Sequence, residues 1–127
     1  MDKKKILIVD DDKFLLDIYS TKFRAAGYEV DMAMNGIEAI EKIKTAPYYN
    51  FILMDVAMPA LSGFEALEKL KELKLIQKFP IIMLTNAART EELEQGDKLG
   101  AKGYVIKSQH TPSEVVKIVE EIIKKEV

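Results

Sequence analysis

The sequence holds no cysteine and a single histidine. Without thiols there is no disulfide framework, no thiolate zinc site and no sulfur nucleophile. His110 stands in a polar stretch with no companion ligand and reads as solvent-facing. No apolar run approaches the roughly 20 residues of a membrane span. The start, Met1 to Lys5, leads into only four apolar residues (Ile6 to Val9), too few for a secretory leader. Secretion is therefore unsupported, and a reducing, cytoplasmic setting is expected. Charge of either sign is not in excess: 19 basic residues face 21 acidic ones, a net −2, which gives no general field for nucleic acid or membrane. Repeats, linkers and low-complexity segments are missing too. What is present is 127 residues, 48% hydrophobic and 31% charged, the material of one folded domain. A chain of this size buries roughly two-thirds of its unfolded surface and needs no metal or disulfide staple.

Short apolar runs alternate with longer segments of helical period. Ile6-Leu7-Ile8-Val9 is continuous, as a central parallel strand buried on both faces should be. A helix ending near Gly27 follows, with Leu15, Tyr19, Phe23 and Ala26 on its stripe. Tyr28, Val30 and Met32 alternate with Glu29 and Asp31, the pattern of a half-exposed edge strand. A second helix opens near Asn35 with Ile37, Ile40 and Ile43 on one side, and Phe51 to Met54 form the third strand. Ser62-Gly63-Phe64-Glu65 has the form of a capping box ahead of Leu67, Leu70 and Leu73. Pro80 introduces the strand Ile81 to Leu84. A weaker helix spans about Thr90 to Lys98, interrupted by Gly96, before the strand Tyr104-Val105-Ile106. Thr111-Pro112-Ser113-Glu114 starts a last helix carrying Val115, Ile118, Val119 and Ile122. Five strands alternating with five helices predict a single doubly wound α/β domain with a parallel sheet. The edge character of the second strand predicts the order 2-1-3-4-5.

In such sheets ligands bind beyond the carboxyl ends of the strands. Asp10, Asp11 and Asp12 follow the first strand, Asp55 the third, Thr85 the fourth and Lys107 the fifth. Positions 10, 55, 85 and 107 are 45, 30 and 22 residues apart, yet the predicted fold brings them to one edge. Two carboxylates about 4 Å apart repel by ~4 kcal/mol at an effective dielectric near 20, so the group either keeps a proton or binds a cation. An all-oxygen donor set selects a hard divalent ion, for which Mg²⁺ is the expectation. Carboxylate, magnesium, ammonium and hydroxyl together suit a phosphoryl group in transfer. Asp55, alone at the centre of the sheet, is the candidate nucleophile. Aspartates before a helix also act as caps, and Asp12 is placed to do that.

With these residues in order over the whole chain, the sequence resembles a response-regulator receiver domain of the CheY-like, flavodoxin-like (βα)5 kind. The resemblance rests on Ile6 to Asp11, on Met54 to Pro59 followed by Ser62-Gly63, and on Leu84-Thr85, Gly103-Tyr104 and Lys107. It implies one receiver unit over 1–127 without an output domain. It implies, further, a regulatory phosphoacceptor whose only catalysis is its own phosphorylation and dephosphorylation. Asp55 would accept a phosphoryl group from the phosphohistidine of a sensor histidine kinase or a histidine phosphotransfer protein. Asp11, Asp55 and the carbonyl of Ala57 would ligate Mg²⁺ directly, and Asp10 through water. Lys107 would bridge to the phosphoryl group, Thr85 would swing to hydrogen-bond it, and Tyr104 would turn inward behind it. The fourth helix, fifth strand and fifth helix would then present an altered surface to a downstream protein. Phosphorylation-driven homodimerisation through that surface is also compatible with the resemblance; direct nucleic-acid or membrane binding is not expected. Phe14, Leu15, Ile18 and the stretch Ser108 to Thr111 are the implied kinase-contact positions.

Two positions depart from the family pattern. Ser108 replaces the usual cis proline after the lysine, and a cis bond to a non-proline residue costs about 2.5–4 kcal/mol, so a trans linkage that re-aims Lys107 is a concern. Asn86 is larger than the usual residue after the threonine. Ala57 and Ala87 occupy positions that tune dephosphorylation in the family. The competing reading is a phosphorylation-silent receiver-fold module that only binds partners. A flavin protein of the same topology would need a phosphate-cradling loop where three acids stand. An aspartyl phosphatase would need a second acid at position 57, which is Ala.

Overall fold

The computed structural model describes residues 4–86 and 90–125. Its elements are β1 (Lys4–Val9), α1 (Lys13–Ala25), β2 (Tyr28–Ala33), α2 (Gly36–Thr45), β3 (Phe51–Asp55), α3 (Gly63–Glu72), β4 (Ile81–Thr85), α4 (Thr90–Leu99), β5 (Gly103–Ile106) and α5 (Pro112–Lys125), with one 3₁₀ turn at Lys107–Gln109. The strands form one parallel sheet in the order β2-β1-β3-β4-β5, as the sequence pattern predicts. No helix among the described residues is long and apolar enough to cross a membrane.

Each face of the sheet is covered by its own core. One contains Leu7, Val9, Ile52, Met54, Ile81 and Met83 beneath α2 and α3. The other contains Ile6, Ile8, Leu53, Ile82, Leu84 and Val105 beneath α1 and α5. Successive residues of β1, β3 and β4 thus point into opposite cores, which explains why these strands read as unbroken apolar runs. Phe23, Tyr28 and Phe51 add mutual edge-to-face contacts, with ring centroids 5.6–5.9 Å apart.

The helix starts follow the capping signals. Asp12 Oδ1 accepts the amides of Phe14 and Leu15. Ser62 and Glu65 form a reciprocal capping box, as do Thr111 and Glu114. The buried stripes differ in detail from expectation. In α1 it is Leu16, Tyr19, Ser20 and Phe23 that are buried; Leu15 is half-buried and Ala26 is exposed at the C-cap. Ile37 is exposed, because α2 turns Gly36, Ala39, Ile40 and Ile43 to the sheet. Leu73 lies at the C-cap of α3, past the last turn that contacts the core, and is exposed as well.

Candidate functional site

β1, β3, β4 and β5 end at one edge because their parallel registers are nearly level: Val9 pairs with Met54, Asp55 with Leu84, and Thr85 with Ile106. The residues that leave those ends are therefore neighbours. Asp10 is fully buried, and its backbone amide donates to the Ala33 carbonyl of the adjoining strand (3.1 Å). Asp55, 4% exposed, is locked from behind by the Val56 amide, which donates to the Leu84 carbonyl. Gly63 closes the loop that follows. Its amide donates to the Val56 carbonyl, and a Cβ there would fall on the Asp55 carbonyl oxygen, so the start of α3 can approach only as glycine.

Lys107 reaches across the mouth of the sheet. Its Nζ lies 2.8 Å from Asp10 Oδ2 and 3.0 Å from Asp55 Oδ1, with the lysine side chain 8% exposed. Asp10 Oδ1 in turn accepts the Asp12 amide (3.0 Å). Asp11 is exposed at the rim, and one carboxylate oxygen from each of Asp10, Asp11 and Asp55 fits within a 4.8 Å span. Burial pushes the Asp55 carboxyl up to about 6; Lys107 opposes this, and the charges of Asp10 and Asp11 add to it. Burial works to lower the Lys107 ammonium, but its bond to Asp10 and the charge of Asp55 outweigh that and hold it above its ordinary value.

One ammonium among three carboxylates leaves the group short of positive charge, and all the donors are hard oxygens. These residues fit a small divalent cation such as Mg²⁺, with Asp11 at the solvent side and Asp10 and Asp55 inside. Ala57 lies two residues beyond Asp55 in the exposed part of the loop. Asp12 does not join the cluster: its carboxylate caps α1, accepting the Phe14 and Leu15 amides.

Thr85 ends β4 at 5% exposure, one strand over from Asp55. Tyr104, on β5, is 45% exposed. Both line a cavity of about 230 Å³ between β4, α4 and β5, together with Val56, Phe64, Met83, Leu93 and Ala101. The peptide bonds among the described residues are all trans, Lys107–Ser108 included, and the lysine points inward regardless. The Ser108 hydroxyl donates to the Asn86 carbonyl (3.1 Å), tying the loop after β5 to the loop after β4. Ala87 lies outside the described residues.

One residue near the charges carried no such signal in the sequence. Tyr19 is 3% exposed, and burial raises its phenol, with Lys107 opposing and Asp10 and Asp55 adding. On an apolar helical stripe a tyrosine reads as core. Only the packing of α1 brings it within reach of the acid pocket.

A five-stranded sheet in this order, with acids and a lysine gathered at its carboxyl edge, defines the CheY-like branch of the flavodoxin-like fold. Residues 6–120 match the family model of the response regulator receiver domain. The chain is 40% identical over 99 residues to the transcriptional regulatory protein CpxR homolog of Haemophilus influenzae, covering 76% of this chain and 40% of that protein. It is 37% identical over 124 residues to the alkaline phosphatase synthesis transcriptional regulatory protein PhoP of Bacillus subtilis, covering 96% and 49%. The chemotaxis response regulator CheY4 of Vibrio cholerae superposes with a TM-score of 0.85 at 31% identity, over 95% of this chain and 99% of that one. The chain belongs to the response regulator receiver domains of two-component signalling. It spans between 40% and 56% of the length of these and similar curated relatives.

Proposed function

We propose that this receiver is a phosphorylation-driven switch in which Asp55 is the acceptor. The observation that carries the reading is the shared lysine: Lys107 lies within hydrogen-bond distance of both Asp10 and Asp55 at the floor of an acidic mouth. An Asp55 carboxylate oxygen attacks the phosphorus of a phosphohistidine, the P–N bond breaks, and the imidazole leaves with the electron pair and takes a proton. Asp10, Asp11, Asp55 and the Ala57 carbonyl are the groups that would hold Mg²⁺. Bound there, the ion would supply the positive charge that lets a phosphoryl dianion approach three carboxylates. Lys107 then exchanges its Asp55 contact for a phosphoryl oxygen, keeping Asp10 as its anchor. Thr85 turns its hydroxyl to the new group and Tyr104 moves inward behind it, which changes the α4-β5-α5 face. Thus a charge-assisted contact set biases a two-state element.

The donor is a sensor histidine kinase or a histidine phosphotransfer protein, and the readout is a downstream protein or a second copy of this chain. Phe14 is 73% exposed beside the site, with Leu15 half-buried next to it, which suits an apolar contact to the donor.

Incubation with acetyl phosphate and Mg²⁺, followed by intact-mass measurement, tests the reading. One added phosphoryl mass is expected, lost in Asp55→Asn and lost on chelation. No gain in the unaltered protein would favour the silent partner-binding module. The inward aim of Lys107 weighs against that alternative, because the trans linkage at Ser108 does not cost the site its lysine.

A further inference from the structure

Gly96 sits inside α4 and is buried, yet nothing in its backbone calls for glycine. Its φ is not positive, unlike those of Gly27 and Gly100. Nor is there a clash to avoid. A Cβ at 96 would stand 3.4 Å from Phe64 Cε1 and 3.9 Å from both Ala101 Cβ and Met83 Cγ, all ordinary contact distances. Glycine within a helix weakens it relative to alanine, so a residue with neither reason is a liability there. What the missing side chain leaves is space. Phe64, Met83 and Ala101 line the 230 Å³ cavity, and so does Gly96 itself.

The other walls say what that space admits. Thr85 and Tyr104 are both part of it. An apolar cavity of about 150 Å³ is enough for a benzene ring, so this one has room for a phenol. Tyr104 is 45% exposed and needs only a side-chain rotation to exchange that exposure for apolar contact. We propose that Gly96 keeps open the volume that the Tyr104 ring enters, so that residue 96 sets how strongly events at Asp55 reach the α4-β5 face. This rests on the inward movement of Tyr104 proposed above. Residue 96 touches neither the acids nor Lys107, so it is a positioning residue for the output and not a part of the chemistry.

The test uses 3-fluorotyrosine-labelled protein with Mg²⁺ and saturating beryllofluoride, a stable phosphoryl mimic. Fluorine NMR reports both the occupied site, through bound beryllofluoride, and Tyr104, assigned through Tyr104→Phe. In the unaltered protein and in Gly96→Ala the Tyr104 signal is expected to shift on occupancy. In Gly96→Leu the site fills while the Tyr104 shift is lost. A full shift in occupied Gly96→Leu would overturn the inference, as would loss of the shift in Gly96→Ala, where most of the volume remains. If Gly96→Leu does not fold, Gly96→Met, with a flexible chain that can thread into the cavity, is read by the same two outcomes. A Tyr104 signal that stays put in the occupied unaltered protein sinks the parent reading, and this inference falls with it.

Discussion

Replacing Asp55 by asparagine should stabilise the metal-free protein at alkaline pH and lose that advantage in acid. Asp55 is 4% exposed and shares the Lys107 ammonium with Asp10, so its charge is poorly compensated. In the unfolded chain it titrates near 3.8, and in the fold burial first, then Asp10 and Asp11, push it up to about 6 against the pull of Lys107. Between those values the folded protein holds a proton that the unfolded chain has released. The stabilisation this represents is complete below the unfolded value and is lost as pH rises through the folded one. Over that interval, from 3.8 to about 6, it amounts to ~3 kcal/mol. Asparagine has no such dependence. The stability of Asp55→Asn minus that of the unaltered protein should therefore grow by ~3 kcal/mol between pH 3 and pH 8. For a domain of 127 residues this corresponds to ~11 °C in the relative melting temperature.

Urea unfolding followed by circular dichroism, in EDTA at the two pH values, measures the difference directly. The mutant's advantage at alkaline pH should shrink in millimolar Mg²⁺, because a cation that binds the folded acids stabilises only the protein that still has all three. The same protonation should weaken Mg²⁺ binding below about pH 6, where metal and proton compete for Asp55. A stability difference that is flat with pH, or larger in acid, would refute the account of Asp55 as a buried carboxylate short of positive charge.

Lys107→Met strips two buried carboxylates of their cation and should lower metal-free stability by about 3–5 kcal/mol in the same urea assay; a loss below about 1 kcal/mol would mean the pair is not coupled as its distances imply. Gly63→Ala would put a methyl 2.7 Å from Met83 Cε and 3.0 Å from Val56 Cα. The backbone behind Asp55 must then shift, lowering stability by about 1–3 kcal/mol and slowing acetyl phosphate uptake by intact mass. Ala60→Gly relieves a left-handed φ of 66° at a non-glycine residue and should raise the unfolding free energy in urea by about 1 kcal/mol, with phosphorylation unchanged.

The fold is legible in the sequence where a residue type answers to one physical demand. Ile6 to Val9 and Ile81 to Leu84 are apolar on both sides because each strand feeds two cores, and the edge strand from Tyr28 alternates because Tyr28 and Val30 face a core while Glu29 and Asp31 lie on its less covered face. Asp12, Ser62 and Thr111 announce helix starts by side-chain bonds made within three residues. Helix facing is less legible. Leu15 and Leu16 are adjacent, and only Leu16 is fully buried. Which member of such a pair is buried depends on how the helix lies across the twisted sheet, and that angle is not written in the local pattern. Ile37 and Leu73 fit a helical period yet are exposed: α2 turns Gly36, Ala39, Ile40 and Ile43 to the sheet instead, and Leu73 lies at the C-cap past the last turn that contacts the core. Tyr19 and Gly96 read in the sequence only as a stripe position and a helix interruption, because their surroundings come from residues far away in the chain.

The site divides along the same line. The identities of Asp10, Asp11, Asp55, Thr85 and Lys107 are readable because each follows an apolar run whose carboxyl end must face the ligand edge. Their distances are not, and Ser108 made the aim of Lys107 an open question. Energetics answers it. The Ser108 hydroxyl bond to the Asn86 carbonyl is exposed and is worth about 1 kcal/mol at most. Removing the lysine from two buried carboxylates would cost several times that. The direction of Lys107 is thus decided by the charges it meets and not by the loop that carries it. A loop with a different residue after the lysine can deliver the same ammonium, provided Asp10 and Asp55 stay buried at the strand ends to receive it.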